Sequence, residues 1–316
     1  MMQVKNGLRF VGFGHYVPPR IVTNDDLSKI VDTNDEWITT RTGIKRRHFM
    51  EDEDTNLDLA LNAAKMAIED AGIDPQEIGA VVLATVRPDN MTPSVACMVQ
   101  KALGLSEYTP SLDINAACSG FMYGLSVAAG FLMQSEKRYA LVIGSETLSR
   151  VLDMTDRSTC ILFGDGAGAA VIELSEKHRY FSVLGSRGND EYLVIPNNSD
   201  KRYVRMSGGD VFKFAVSTVP RTVEELIAVS GNTAEDIDWF VCHQANKRII
   251  ELVAKRVGQS LDRFYMNLED YGNTSSASIP IALSEMNQKG LLKEGMKLIA
   301  VGFGGGLTWG GAYIEL

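Results

Sequence analysis

Basic residues are in deficit in this chain: 31 Lys and Arg stand against 40 Asp and Glu, a formal net charge of -9 and a sequence pI near 5.1. So acidic a protein is a poor global partner for nucleic acid. Cysteine and histidine are scarce as well. The cysteines at 97, 118, 160 and 242 form no CxxC pair, and the histidines at 15, 48, 178 and 243 are equally dispersed. Neither a disulfide scaffold nor a metal cluster is expected from such spacing. No uninterrupted apolar run approaches the ~20 residues of a membrane span. The opening Met1-Met2-Gln3-Val4-Lys5-Asn6-Gly7 holds no long apolar stretch, so no secretory signal is expected there. These absences leave a cytoplasmic, reduced protein without metal or cofactor as the expectation.

What is present is ordinary globular material, 316 residues of which 45% are hydrophobic, enough for one large domain or two intimate ones. Strand-like and helix-like segments alternate, which favours an α/β class. Ala60, Ala63, Ala64, Ala67 and Ala71 recur at helical spacing, with Thr55 or Asn56 as cap and Gly72 as stop. Ile73 to Ile78 and an apolar strand from Ala80 to Val86 follow. The second half repeats this order: a helix over 223–229 stops at Gly231, Thr233 to Ile237 follows, and the strand Trp239 to Cys242 comes next. Gly72 to Gly231 and Ile78 to Ile237 are both 159 apart. A constant shift of half the chain points to internal duplication, with halves at 1–170 and 171–316. The same offset carries Ala117-Cys118-Ser119 onto Ser276-Ala277-Ser278. Loops leaving equivalent strands would then converge on one pseudo-twofold centre. Residues 185–210, with Asn197 to Arg202 among them, have no counterpart at this offset and read as a surface hairpin or lid.

Cys118 lies where the apolar run Ser111 to Ile114 breaks into a small-residue turn before a helix expected over 121–134. A thiol at a helix N-terminus has a lowered pKa and becomes a nucleophile. A buried cysteine acting as a small hydrophobe fits the same segment. His243 ends the strand 239–242, where α/β proteins keep reactive groups, although a lone strand-end histidine also serves structure. Asn273, in Gly272-Asn273-Thr274-Ser275-Ser276, precedes another helix in a stretch that also suits capping. After the strand expected over 297–302 come Gly304-Gly305-Gly306 and a short strand-like run to Glu315, a tight hairpin rather than a phosphate loop. Its bare N–H groups, paired with that of Cys118, would form an oxyanion hole. Cys, His and Asn on converging loops suit a papain-like hydrolase, but that fold does not explain the duplication. Carbon–carbon bond formation fits better: a thiolate holds an acyl group, and two neutral donors support an enolate oxygen.

Together these residues resemble the β-ketoacyl-[acyl-carrier-protein] synthase III family, the initiating condensing enzymes of type II fatty acid synthesis. The likeness runs over essentially the whole chain. It rests on Asp35 to Ile44, Asn115-Ala116-Ala117-Cys118-Ser119-Gly120, Phe163 to Gly168, His243-Gln244-Ala245-Asn246, Gly272 to Ser276, and Gly304 to Gly310. The resemblance implies a thiolase-like layered αβαβα fold of two duplicated halves, assembled as a homodimer. It implies that Cys118 takes an acyl group from acyl-coenzyme A, a substrate rather than a cofactor. Malonyl-acyl-carrier protein then loses carbon dioxide and attacks the thioester. His243 and Asn273 would support decarboxylation, and the amides of Cys118 and Gly305 would hold the thioester oxygen. Trp37 and Arg157 would sandwich the coenzyme A adenine. Arg248, Lys255 and Gln244 would meet the acidic carrier protein, with Lys247 and Arg256 on the same basic helix. Thr92 would bound the acyl pocket from the neighbouring subunit, where some relatives carry phenylalanine. Gly209 replaces an asparagine of some relatives.

A thiolase would carry a second catalytic cysteine near the C-terminal glycine loop, and 302–311 contains none. A condensing acyltransferase of secondary metabolism shares the same residues and stays open. A non-catalytic acyl-coenzyme A or carrier-protein binding module would have no reason to keep Cys118, His243 and Asn273 together.

Overall fold

The computed structural model describes residues 2–3, 7–196 and 203–316; the expected polar excursion Asn197 to Arg202 lies outside the described residues. In chain order the strands are β1 (Met2–Gln3), β2 (Gly7–Tyr16), β3 (Ile21–Thr23), β4 (Arg46–His48), β5 (Ile78–Ala84), β6 (Ser111–Ile114) and β7 (Tyr139–Glu146). They continue with β8 (Gly166–Ser175), β9 (Tyr180–Asn189), β10 (Leu193–Val194), β11 (Arg205–Met206), β12 (Trp239–Cys242), β13 (Lys297–Gly304) and β14 (Gly306–Glu315). One five-stranded sheet has the order β2-β8-β7-β5-β6, and the other β1-β9-β14-β13-β12. Four strands of each correspond, β2, β8, β7 and β5 with β9, β14, β13 and β12, while β1 adds an edge to the second sheet. In each, two antiparallel pairings (β2–β8–β7 and β9–β14–β13) lead to a parallel one, β7–β5 and β13–β12. Where β6 flanks β5, a single parallel bridge from Phe264 flanks Phe240.

Continuous burial explains why these strands read as unbroken apolar runs. Val82 and Val142 face the space between the sheets, where the helices Gly120–Leu132 and Ser278–Gln288 lie with Phe121, Leu125, Ile279 and Leu283. Val81, Leu83, Leu141 and Ile143 face outward onto the helix Asn56–Ala71. On the far side, Phe240, Ile299 and Val301 pack against the helices Gly208–Ser230 and Lys247–Val257. The layers run αβαβα.

The alanine-rich helix Asn56–Ala71 forms as its sequence predicts, with Thr55 and Asp58 closing a reciprocal capping box and Gly72 ending it at φ 62°. Two expectations shift, and a third holds. The strand expected at 80–86 occupies 78–84, because the Val86 N–H leaves the ladder and donates to the Glu146 carboxylate at 3.0 Å. The helix expected at 223–229 is the end of a 23-residue helix that buries Pro220 and begins at Gly208. The hairpin expected in 185–210 is present as β10 paired with β11.

The offset of 159 holds for Gly72 and Gly231, and for the 3-10 turns Pro75–Glu77 and Ala234–Asp236. By the nucleophile turn it has dropped to 158. The turn Ala117–Ser119 matches Ser275–Ala277, and these turns hold the positive-φ residues Ala117 (46°) and Ser275 (50°). Cys118 therefore corresponds to Ser276, not Ala277. The cause lies in spacing between paired strands: Val82 pairs with Val142, 60 residues on, whereas Val241 pairs with Ala300, 59 on.

Close backbone approach fixes this centre. A Cβ on Gly144 would stand 2.3 Å from the Ser276 carbonyl oxygen, and one on Gly302 would stand 3.2 Å from that of Cys118. Gly144→Ala should therefore cost about 1–3 kcal/mol of unfolding free energy. Gly130, inside the helix Gly120–Leu132, faces open space, so Gly130→Ala should gain about 0.5–1 kcal/mol. Urea titrations of both variants compare them, and equal midpoints would contradict the close approach.

Candidate active site

Cys118 is buried in a 3-10 turn between the end of β6 and the helix Gly120–Leu132. Ala117, at positive φ, turns the chain sharply, and its N–H donates to Asn115 Oδ1 at 3.2 Å. The turn is tied to the glycine hairpin: the Ser119 hydroxyl donates to Thr308 Oγ1, and Thr308 donates to the Ala116 carbonyl, each at 2.8 Å. Contrary to the lowered thiol pKa expected for a helix N-terminus, burial pushes the Cys118 thiol up to about 12. The Ser275 hydroxyl favours its ionisation, and the Glu146 carboxylate opposes it. The resting group is a thiol.

His243 follows β12 directly and is buried, its ring edge-on to Phe303 with centroids 5.2 Å apart. Burial lowers its pKa to about 3, so the ring is neutral. Ser278 Oγ lies 2.7 Å from Nδ1 and also accepts the Gln244 N–H at 3.3 Å. A hydroxyl proton given to Nδ1 would leave Nε2–H as the donor of the neutral ring. Asn273 is fixed through its backbone, which bonds Leu162 O at 2.8 Å and the Gly164 N–H at 3.0 Å. Its Oδ1 accepts the Ser275 N–H at 2.9 Å, so its amide NH2 is the free end.

Two cavities meet at Cys118. The larger, about 400 Å³, is walled by Val86, Leu148, Val151, Leu152, Ile195 and Val204 and is apolar. The smaller, about 230 Å³, holds His243, Asn273 and Phe303 and runs past Phe212 and Asn246 at the head of the basic helix. Cys118, Phe163 and Leu193 line both. The hairpin closes over the sulfur: a Cβ on Gly304 would stand 2.6 Å from the Cys118 nitrogen. Among the described residues, neither the Cys118 N–H nor the Gly305 N–H has a hydrogen-bond partner. A buried nucleophile, two unpaired amides and two neutral donors at one point suit acyl transfer through a thioester, followed by stabilisation of an enolate.

The remaining expected residues divide. Trp37 carries Arg157 on its ring at 4.7 Å and Arg41 at 4.4 Å. Arg157 thus rests against the Trp37 ring. Arg248 and Lys255 are exposed and, among the described residues, in no ion pair, whereas Lys247 reaches Glu251 and Arg256 reaches Glu224, both at 3.8 Å. Gln244 is a correction to the carrier surface. It is 1% exposed, its amide donates to Cys242 O and Tyr265 O, and its oxygen accepts the Asn267 N–H. No edge of it is free for a partner. Thr92 is exposed and lines neither cavity of its own subunit. Gly209 has nothing near its missing Cβ. Among the described residues no cluster of His, Cys, Asp or Glu is arranged to hold a metal ion, and no helix is long and apolar enough to cross a membrane.

Sequence reading missed Arg41, Thr308, Ser278, Ser275 and Glu146. Arg41 had a signal, since it lies four residues after Trp37 on one helical face. Glu146 had none. It ends β7 fully buried, and burial raises its carboxyl pKa to about 7.

Residues 112–188 match the model of 3-oxoacyl-[acyl-carrier-protein] synthase III, and residues 227–316 match the model of its C-terminal part. The beta-ketoacyl-[acyl-carrier-protein] synthase III of Clostridium acetobutylicum is 49% identical, covering 98% of this chain and 99% of that protein. The crystal structure of 3-oxoacyl-[acyl-carrier-protein] synthase III from Aquifex aeolicus superposes with a TM-score of 0.93 at 42% identity, over 98% of this chain and all of that one. The priming beta-ketosynthase of the R1128 polyketide pathway superposes with a TM-score of 0.91 at 34% identity, over 100% and 98% of the two chains.

Gly304→Ala tests the amide arrangement, because its Cβ would crowd the Cys118 N–H. Capture of an acyl thioester on Cys118 should fall by about 10²–10³. Alkylation of the same thiol by iodoacetamide, which develops no oxyanion, should persist. Parallel loss of both reactions by intact-mass measurement would instead mean that the sulfur itself had been displaced.

Proposed function

Since this chain belongs to the β-ketoacyl-[acyl-carrier-protein] synthase III family, we propose specific roles for its residues in that family's reaction. The protein is a condensing acyltransferase that joins an acyl-coenzyme A primer to malonyl-acyl-carrier protein with loss of carbon dioxide and so initiates fatty acid synthesis. The carrying observation is the meeting of a buried thiol with two neutral donors, His243 Nε2–H and the Asn273 amide, at one junction of two cavities.

Cys118 sulfur attacks the thioester carbonyl, whose oxygen turns toward the Cys118 and Gly305 N–H groups, and coenzyme A leaves. The acyl chain lies in the apolar cavity. Malonyl-carrier protein enters by the smaller cavity, and loss of carbon dioxide leaves an enolate oxygen facing His243 and Asn273. Because both donors are neutral, they stabilise charge without protonating the carbon first. That carbon attacks the Cys118 thioester and frees the 3-oxoacyl product. The chemistry asks for no metal or redox cofactor.

The coenzyme A adenine stacks on Trp37 once Arg157 swings aside, with Arg41 retained behind the indole. Arg248 and Lys255 steer the acidic carrier, and Arg248 lies over Phe212 at the cavity mouth. A homodimer is supported by β6, which leaves one edge of its sheet unpaired and half-buried beside the nucleophile turn. Thr92 then serves the partner's pocket. The halves are 1–170 and 171–316, with the join drawn more naturally at 176–179, since residue 170 lies inside β8. A cytoplasmic setting follows from the substrates.

The 400 Å³ cavity favours primers larger than acetyl. At roughly 0.8 kcal/mol per buried CH2, three added carbons give about 2.4 kcal/mol, or about sixtyfold. Rates of Cys118 acylation, read by mass spectrometry over straight and branched acyl-coenzyme A of rising length, should show that preference for primers of about four to six carbons. A panel that peaks at acetyl contradicts it. Preference for a polyketide-type primer with poor use of the malonyl carrier protein would favour the secondary-metabolism reading, which the likeness to the R1128 enzyme keeps in view.

A further inference from the structure

Arg47, on β4, is among the largest side chains to be fully buried, and the reaction above does not use it. Its partners are all neutral. One end of the guanidinium, Nη1, donates to Asn24 Oδ1 at 2.8 Å and to Val22 O at 3.3 Å. The other end, Nη2, donates to Ile161 O at 2.6 Å, while Nε has no acceptor among the described residues. Burial lowers its pKa to about 10, so the group still carries its charge at neutral pH. A buried cation held by neutral dipoles alone is costly. Where those dipoles lead gives the side chain a purpose.

Ile161 closes the short helix Arg157–Cys160, and its carbonyl opens the strip 161–164 that pairs with Asn273. Within that pairing, Leu162 O accepts the Asn273 N–H at 2.8 Å, and the Gly164 N–H donates to Asn273 O at 3.0 Å. The stem of Arg47 supports both segments. A Cβ on Gly164 would stand 3.1 Å from Arg47 Cβ, and one on Gly272 would stand 3.2 Å from it. Gly272, at φ 66°, is the residue that turns the chain into Asn273. The far anchor is equally fixed, since Asn24 Nδ2 donates to Asp35 Oδ1 and to Ile44 O, each at 2.8 Å. Arg47 thus bears on the backbone of the amide donor at Ile161, Gly164 and Gly272. The Cys118 turn is held by other means, through Thr308 and the glycine hairpin.

Resting on the condensing reaction above, we propose that Arg47 is a positioning residue for the second half-reaction, holding the Asn273 amide at the enolate oxygen through the 161–164 strip and Gly272. Displacement of that strip moves Asn273 and leaves the thiol beneath its hairpin. Acylation asks nothing of Asn273. Decarboxylation and condensation therefore depend on Arg47, and capture of the primer does not.

Arg47→Lys keeps the charge but loses the planar fork that grips Asn24 and Ile161 together. Acylation of Cys118 at saturating acyl-coenzyme A, read by intact mass, should change no more than about threefold. Condensation by enzyme already acylated should slow by about ten- to a hundredfold, in kcat rather than in KM for malonyl-acyl-carrier protein. In an Asn273→Ala background the same substitution should slow condensation by no more than about threefold further, because the group it positions is gone. Full multiplication of the two losses in the double variant overturns the proposal, as does unimpaired condensation by Arg47→Lys. Equal losses in both half-reactions, or a variant that no longer takes an acyl group, also overturn it, since Arg47 then serves the fold as a whole. These outcomes leave the condensing reading standing, whereas a wild-type chain that neither acylates nor condenses removes both.

Discussion

A thiol, an imidazole and a primary amide are taken out of water at one point, and the cost of charge in that dry setting decides how each behaves. Burial holds Cys118 as a thiol and His243 as a neutral ring. The neutral ring of His243 lies with Nδ1 2.7 Å from Ser278 Oγ. The same dryness strengthens every dipole in the site, and in the proposed reaction these include the amides of Cys118 and Gly305. The large apolar cavity extends this condition away from the sulfur.

Duplication supplies the framework for that centre. Two matching sheets end at the same place, and each ends by pressing a glycine against an elbow that holds a residue at positive φ. The halves have diverged in what they place there. One presents Cys118 beneath the bare backbone of Gly304. The other presents Ser276 beneath Glu146, and Asn273 reaches the first site from the same turn. A symmetric scaffold thus carries an asymmetric chemistry, with all three polar groups assembled from loops far apart in sequence.

Much of this was legible in the residues. The capped alanine helix, the strand before His243 and the turns that carry Cys118 and Asn273 stand where their local chemistry places them. Other features depend on three-dimensional neighbours that no local pattern records. Glu146 looks like any carboxylate at a strand end until Ser276, 130 residues away, is found bonded to it. Gln244 shares a motif with His243, yet it turns inward to bind Cys242 and Tyr265. The helix Gly208–Ser230 was hidden by its glycine start and by Pro220, both of which read as breakers. The helix-terminus argument for a lowered thiol pKa failed because it left out desolvation.

The central claim is that Cys118 carries the acyl group between two substrates, and a pulse-chase measurement reaches it most directly. The protein is charged with isotopically labelled acyl-coenzyme A, freed of coenzyme A, and then given malonyl-acyl-carrier protein. The label should sit on Cys118 and leave it at the rate at which labelled 3-oxoacyl-carrier protein appears. Label found on another residue, or label that stays on Cys118 while product forms, would contradict the account.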